Sequence, residues 1–342
     1  MVESVGLAVG IVIVTTGAVW LGSSWLESAS ERLSEYYGLP QVVQGSVVAA
    51  VGSSFPELAT VAVSAFGGAL GIGTGAIVGS AIFNVLVIPA LAGISTDEEI
   101  EANRTLVYKE AQFYMLAVSA LVITFAMAVI YYPVGGTEFI TGEMNRPLAA
   151  IPLALYGLYL FIQVQDTADH EADPDAAAGI DARRQWGYLL AGLAVILVAV
   201  HELVGAVETI SAAVGVGEFI MGVTVAAAAT SLPDALVSVR AAQDDRGVAS
   251  LANVLGSNTF DLLVAIPVGV FIAGTWVFNF ELAVPMFAVL TLATVLLFTF
   301  LRTDLALSTP ESVALLVAYG LFVGWVVVEE VSTVVTFLPS GG

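Results

Sequence analysis

Residues 45–93 recur as residues 222–270, without a gap, at a constant offset of 177 positions. The first copy opens GSVVAAVGSSFPELA and runs on to IVGSAIFNVLV; the second opens GVTVAAAATSLPDAL and runs on to VLGSNTFDLLV. Pro56 falls on Pro233, Gly79 on Gly256, Ser80 on Ser257 and Phe83 on Phe260. Glu57 falls on Asp234, and Asn84 on Asp261. Such a chain has to fold as two related halves. Both halves carry an acid in apolar surroundings, where a carboxylate is costly and points to function.

The surroundings are those of a membrane protein. The chain is 58% hydrophobic and only 11% charged, with a mean hydropathy of +0.94. A soluble domain of this length has too little interior for that much apolar surface. Apolar stretches of about 20 residues read as roughly ten spans. They centre near 5–22, 41–66, 72–93, 108–131, 147–164, 185–202, 216–240, 247–272, 281–301 and 312–331. The runs are continuous rather than alternating, which excludes a strand barrel and predicts an all-α integral membrane fold. The first run follows Glu3 rather than a basic segment, so it reads as a span and not as a cleavable leader. Cysteine is absent, which excludes disulfides and thiol chemistry.

Basic residues orient the spans, because they collect on the cytoplasmic side. Arg32, Arg104, Lys109, Arg183, Arg184, Arg240, Arg246 and Arg302 fall at the odd-numbered connections, and Arg146 alone at an even one. Both termini are therefore expected outside a multi-pass cell-membrane protein. The repeats begin on the second and seventh spans. They differ by an odd number and so enter the membrane in opposite directions. The expected fold is two inverted-topology five-helix repeats, a plan common among secondary transporters. The first half is read as 1–165 and the second as 185–342, joined by an acidic cytoplasmic linker at 166–184. That linker lacks the twelve-residue calcium-loop pattern. The net charge of −21 makes nucleic acid an unexpected partner. An acidic surface of this kind also suits a halophilic organism.

Each repeat has two polar clusters. Ser53, Ser54, Pro56 and Glu57 match Thr230, Ser231, Pro233 and Asp234; Ser80 and Asn84 match Ser257 and Asp261. Proline removes a backbone donor inside a span, freeing carbonyls near Ala50 and Ala227. In lipid, freed groups must find partners. Hydroxyl and acid or amide stand four residues apart in every cluster, hence on one helix face. A lone Ser usually bonds its own helix backbone. Four clusters in register, each with Gly or Pro and three with an acid, argue for ion coordination instead. Antiparallel packing of the repeats brings them together near the bilayer midplane.

The resulting lining is carboxylate, hydroxyl and carbonyl oxygen: Glu57, Asp234, Asp261, Asn84, Ser53, Ser54, Thr230, Ser231, Ser80, Ser257 and the backbone of Ala50 and Ala227. Hard oxygen ligands suit Ca2+, Na+, K+ or Mg2+ and not zinc or copper. The three acids repel one another strongly at low dielectric, so bound cations, or a proton on one acid, must offset them. Inorganic cations and the lipid bilayer are the expected partners, and no resident cofactor is expected. Competition of Na+ and Ca2+ for one cage supplies antiport.

GSSFPEL, IVGSAIFN, ATSLPDAL and VLGSNTFDLLV resemble the two alpha repeats of the calcium/cation antiporter superfamily. The match is nearest to its K+-dependent sodium/calcium exchangers, and K+-independent members usually place Glu where this chain has Asp234. The resemblance implies exchange of Na+ for Ca2+ by alternating access, with Glu57 and Asp234 bridging Ca2+. In the K+-dependent branch the acid at position 261 is linked to K+ co-transport. Ala229 replaces a usual glycine, and Ala76 stands where Asn is frequent. The large regulatory loop of animal relatives is missing.

Other classes fit less well. A proton/calcium antiporter uses the same acids, with His201 and Glu202 readable as a proton path or, better, as residues at the membrane surface. An intramembrane aspartyl protease needs two acids sharing a proton, but neither Asp234 nor Asp261 has the Gly-x-Gly-Asp context. A channel is usually built from rings of identical subunits. Glu138, Glu143, Glu208 and Glu218 read as surface acids near the outer mouth. Trp20, Trp25, Trp186, Trp276 and Trp325 read as an interfacial belt.

Overall fold

A computed structural model describes residues 2–38, 48, 50–96, 99–104, 106–136, 140–165 and 179–337. Among these, nine helices are long and apolar enough to cross a membrane, and Phe55–Gly67 is a shorter apolar helix. The first span is Val2–Tyr36. The second comprises Ala50–Ser53 and Phe55–Gly67. The third to fifth are Leu70–Ile94, Leu106–Tyr131 and Arg146–Gln165. The sixth to ninth are Ala182–Val214, Glu218–Gln243, Gly247–Ala273 and Phe280–Arg302. The tenth is Thr309–Phe337. Most of the expected linker, residues 166–178, and the acids Asp97, Glu98 and Glu138 lie outside the described residues. The sixth span begins inside the expected linker. There Asp181 Oδ1 accepts from the backbone N–H groups of Arg183 (3.1 Å) and Arg184 (3.3 Å), a side-chain cap on two otherwise unpaired donors.

Four short strands show the inverted plan. Strand β1 (Ile100–Glu101) follows the third span and pairs with β4 (Ala306–Leu307) after the ninth. Strand β2 (Thr141–Asn145) follows the fourth span and pairs with β3 (Thr275–Asn279) after the eighth. Odd connections pair with odd, and even with even, as alternate crossing of one bilayer requires. Each two-stranded sheet joins the two halves. Exchanging the repeats exchanges the sheets, because the third-to-fourth connection corresponds to the eighth-to-ninth. The repeat register also holds outside the motif. Gly38 (φ 63°) and Gly215 (φ 74°) lie 177 apart, just beyond the first and sixth spans, in the left-handed conformation open to glycine.

The repeat-bearing spans are innermost. The third, seventh and eighth are 83%, 67% and 78% buried over their most apolar stretch, against 22% for the first and the tenth. Lipid-facing residues of the outer spans need only be apolar, whereas the inner spans must match one another atom by atom. A methyl group at Gly75 would meet the Phe219 carbonyl, one at Gly79 the Val223 carbonyl, and one at Gly222 the Ile72 carbonyl. Glycine here lets the third and seventh spans touch backbone to backbone. The first and sixth spans pair in the same way: a methyl at Gly192 would stand 2.7 Å from the Gly22 carbonyl oxygen.

Two expectations change. The sixth span runs on to Val214, so His201 and Glu202 stand within it and not at its end; both are exposed, lining a 700 Å³ crevice with Leu7, Ala8 and Val63. Twelve further residues, 203–214, stay helical there because the apolar run resumes beyond the polar pair, and Glu208 among them lies in the span and not in the connection after it. Trp276 sits in strand β3 beneath an aromatic cluster, 5.8 Å from Phe125 and 5.3 Å from Phe278 between ring centroids. It stands just after the eighth span, near a span end as the sequence led one to expect.

Candidate cation site

Local sequence breaks the helices where the acids sit. Pro56 opens the helix Phe55–Gly67 after an interruption at Ser54, and Glu57 is in its first turn. Ala50 is the first residue of the preceding short helix Ala50–Ser53. In the seventh span the turn Gly222–Ala226 is wound as a π-helix, and Pro233 lies inside the helix that follows. In the eighth span Asp261 begins the π-helical turn Asp261–Ala265, and Pro267 follows it. Wide turns and prolines both leave carbonyls without their usual partners, and π turns concentrate at functional sites.

All four clusters are sealed in the interior. Glu57, Asn84, Ser54, Ser80, Thr230, Ser231 and Asp261 are fully buried, and Asp234, Ser53 and Ser257 nearly so. The clusters meet across the repeats. Ser231 Oγ donates to Ser80 Oγ at 2.7 Å, and Ser54 Oγ donates to the Ser257 carbonyl at 3.2 Å. These contacts are related by the repeat, since Ser54 maps on Ser231 and Ser80 on Ser257. The carboxylates bear on one another electrostatically: Glu57 on Asp234, Asp261 on Glu57, and Asp234 on Asp261.

Three hydroxyls of the clusters, those of Ser54, Thr230 and Ser257, spend their hydrogens on backbone carbonyls. Thr230 Oγ1 and Ser80 Oγ lie beside Glu57, but Thr230 donates to the carbonyls of Ala226 (3.2 Å) and Ala227 (3.3 Å). Ser257 Oγ donates to the Val254 carbonyl at 3.1 Å. A hydroxyl that gives its hydrogen to backbone keeps its lone pairs for a cation. Both carboxylate oxygens of Glu57, both of Asp261, Oδ1 of Asp234 and Oδ1 of Asn84 are buried without a hydrogen bond. An unmatched buried oxygen costs about 1–3 kcal/mol, and more when charged. Acceptor-only oxygens in such number are fitted to cations. Among the described residues no three acids or histidines converge closely enough to hold an ion alone. Hydroxyl, amide and carbonyl oxygens must therefore complete any coordination shell.

Two participants are absent from the sequence-derived set. Asn258 is fully buried; its Oδ1 accepts from Asn84 Nδ2 at 3.0 Å, and its Nδ2 faces the Ala81 carbonyl and Tyr114 Oη, both at 3.3 Å. Its repeat partner is Ala81, so symmetry hides it. Its place directly after Ser257 in the motif was the available signal. Glu27, on the first span, is among the charges that bear on Asp234. It lies outside the repeated motif. On the side of the even connections, Glu218 is an exposed acid that lines a 510 Å³ cleft with Gly71, Phe219 and strand β3. Glu143, in strand β2, lies on that same side.

The fold has solved and curated counterparts. The solved sodium-calcium exchanger NCX_Mj superposes with a TM-score of 0.64 at 25% identity, over 94% of this chain and 98% of that one. An uncharacterized membrane protein of Methanocaldococcus jannaschii is 27% identical over 263 residues, 77% of this chain and 81% of that protein. The inner membrane protein YrbG of Escherichia coli is 23% identical over 270 residues, 76% and 78% of the two chains. The sodium/potassium/calcium exchanger 3 of Rattus norvegicus is 33% identical over 93 residues, 27% of this chain and 15% of that one. The family model described as sodium/calcium exchanger protein matches residues 7–165 and 184–328. That match makes the chain a multi-pass transporter and not an enzyme, which removes the protease alternative. With most of both halves covered, the chain belongs to the sodium/calcium exchanger protein family.

Proposed function

We propose that this exchanger moves Na+ against Ca2+ by alternating access, through a cage built from Glu57, Asp234, Asp261, Asn84 and the paired hydroxyls. The observation that carries the reading is the set of buried acceptor oxygens, drawn from both repeats, that have no hydrogen-bond donor. Hard cations of either charge match such oxygens. Ca2+ offsets two carboxylates; Na+ ions offset one each. Loaded states are thus near neutral, and an empty cage crosses the membrane badly because its charges are uncompensated. That coupling is what converts a shared site into an exchanger.

Asp261 adds a finer reading. Its repeat partner is the neutral Asn84, so the cage carries one unmatched charge. One K+ beside Ca2+ is the ion we assign there, in line with the sodium/potassium/calcium exchangers among its relatives. The odd connections are assigned to the cytoplasm because they hold eight of the nine basic residues. Both termini are then external. The test is ion flux in proteoliposomes with Na+, K+ and H+ gradients imposed one at a time. Ca2+ uptake should follow an outward Na+ gradient. Uptake driven by a pH gradient alone would overturn the Na+ assignment.

A further inference from the structure

The first span carries a carboxylate that the cage described above does not use. Glu27 lies nine residues before Tyr36, the end of its helix, and Asp234 lies nine before Gln243, the end of its own. Both ends face the odd connections, so each acid lies about 14 Å from that end of its own helix. Their charges also interact. Glu27 is among the charges acting on Asp234, and a methyl group at Gly52 would stand 3.9 Å from Glu27 Cα and Cγ. Glu27 is thereby held against the broken second span, one residue from Ser53.

The chemistry beside it is unsatisfied. Glu27 Oε1 is buried without a hydrogen bond. Ser23, one turn earlier on the same face, is 1% exposed, and its Oγ is buried without a partner. Asp234 Oδ1 is in the same condition. The neighbouring face of this helix, at Gly22 and Leu26, is taken up by packing on Gly192 and Ile196 of the sixth span. The Ser23–Glu27 face is thus turned elsewhere, toward the second and seventh spans. Glu27 as a whole is only half-buried, so it is open on one side while one oxygen points inward. The repeat offers nothing similar on the other side of the membrane, where Val204 stands at the corresponding position.

We infer that Glu27, Ser23 and Asp234 bracket a second cation site beside the cage, entered from the side of the odd connections, where a hard cation waits before the cage takes it. The inference rests on the exchange reading for its role in transport, but the site itself can be tested apart from transport. An apolar carbodiimide labels carboxylates in membrane interiors, and mass spectrometry of the full-length protein reads labelling at Glu27. Saturating Ca2+, offered alone, should lower that labelling about tenfold, equivalent to about 1.4 kcal/mol. It should do so equally in Glu57→Gln, where the cage is disabled. Labelling that Ca2+ leaves unchanged overturns the site, and so does protection that disappears in Glu57→Gln. In transport, Glu27→Gln should raise the half-saturating Ca2+ about tenfold when Ca2+ is offered at the odd-connection face. At the opposite face the value should stay within about twofold, and Glu27→Asp should restore most of the difference. An equal change at both faces, or none, overturns the waiting role. A wild type that carries no Ca2+ defeats the exchange reading, and the labelling result still decides the site.

Discussion

Ser231 and Ser80, 151 positions apart in sequence, share a 2.7 Å hydrogen bond between their side-chain oxygens at the centre of the protein. The bond joins the seventh span to the third. Replacing either serine by alanine should destabilise the fold by about 0.5–1.5 kcal/mol. Removing both should cost less than the sum, with a coupling near 0.6 kcal/mol as found between membrane helices. A double-mutant cycle in unfolding from detergent micelles measures it. Strict additivity would show that the two hydroxyls do not act together.

Glu57→Gln should fold, since it keeps the shape of the side chain and removes an unpaired buried charge. It should abolish Ca2+ transport, as should Asp234→Asn. The clearer reading is thermal. Ca2+ at a hundred times its dissociation constant should stabilise the wild type by about 2.7 kcal/mol, and that gain should be absent from either variant. A variant that Ca2+ still stabilises in full would remove its carboxylate from the site.

Gly79 lies where a methyl group would collide with the Val223 carbonyl and approach Val223 Cα to 2.7 Å. Backbone atoms have no rotamer to escape into, so Gly79→Ala should cost about 1–3 kcal/mol and push the third span off the seventh. Gly17, whose added methyl meets nothing within 4 Å, is the control. Gly17→Ala should leave the melting temperature unchanged or raise it slightly, since alanine favours a helix. Equal melting of the two variants would contradict the close backbone contact.

Asp261→Asn makes the eighth span match Asn84 in the third. If the unmatched charge recruits K+, Ca2+ transport in the wild type should rise with K+, and the variant should run without K+ dependence. The measurement is a K+ titration of Ca2+ flux at fixed Na+. Indifference of the wild type to K+ would refute the assignment.

The inverted plan and the polar clusters that the fold buries together were legible in the sequence because each rests on a local rule. A span of about 20 apolar residues has to cross, an odd number of crossings has to invert, and acids in apolar runs have to be functional. The repeat offset alone paired Ser54 with Ser231 and Ser80 with Ser257. Partnership was not legible. The offset relates equivalent residues, and those are not the residues that touch: Ser54 bonds Ser257, and Ser231 bonds Ser80. Only the packing of one half on the other decides that, through backbone contacts at Gly75, Gly79 and Gly222. Tertiary structure likewise brought in Asn258 and Glu27, whose repeat counterparts, Ala81 and Val204, are apolar. A polar group without a symmetric partner leaves no mark in a pattern built on symmetry. It becomes visible once the folded chain shows which buried oxygens have no donor.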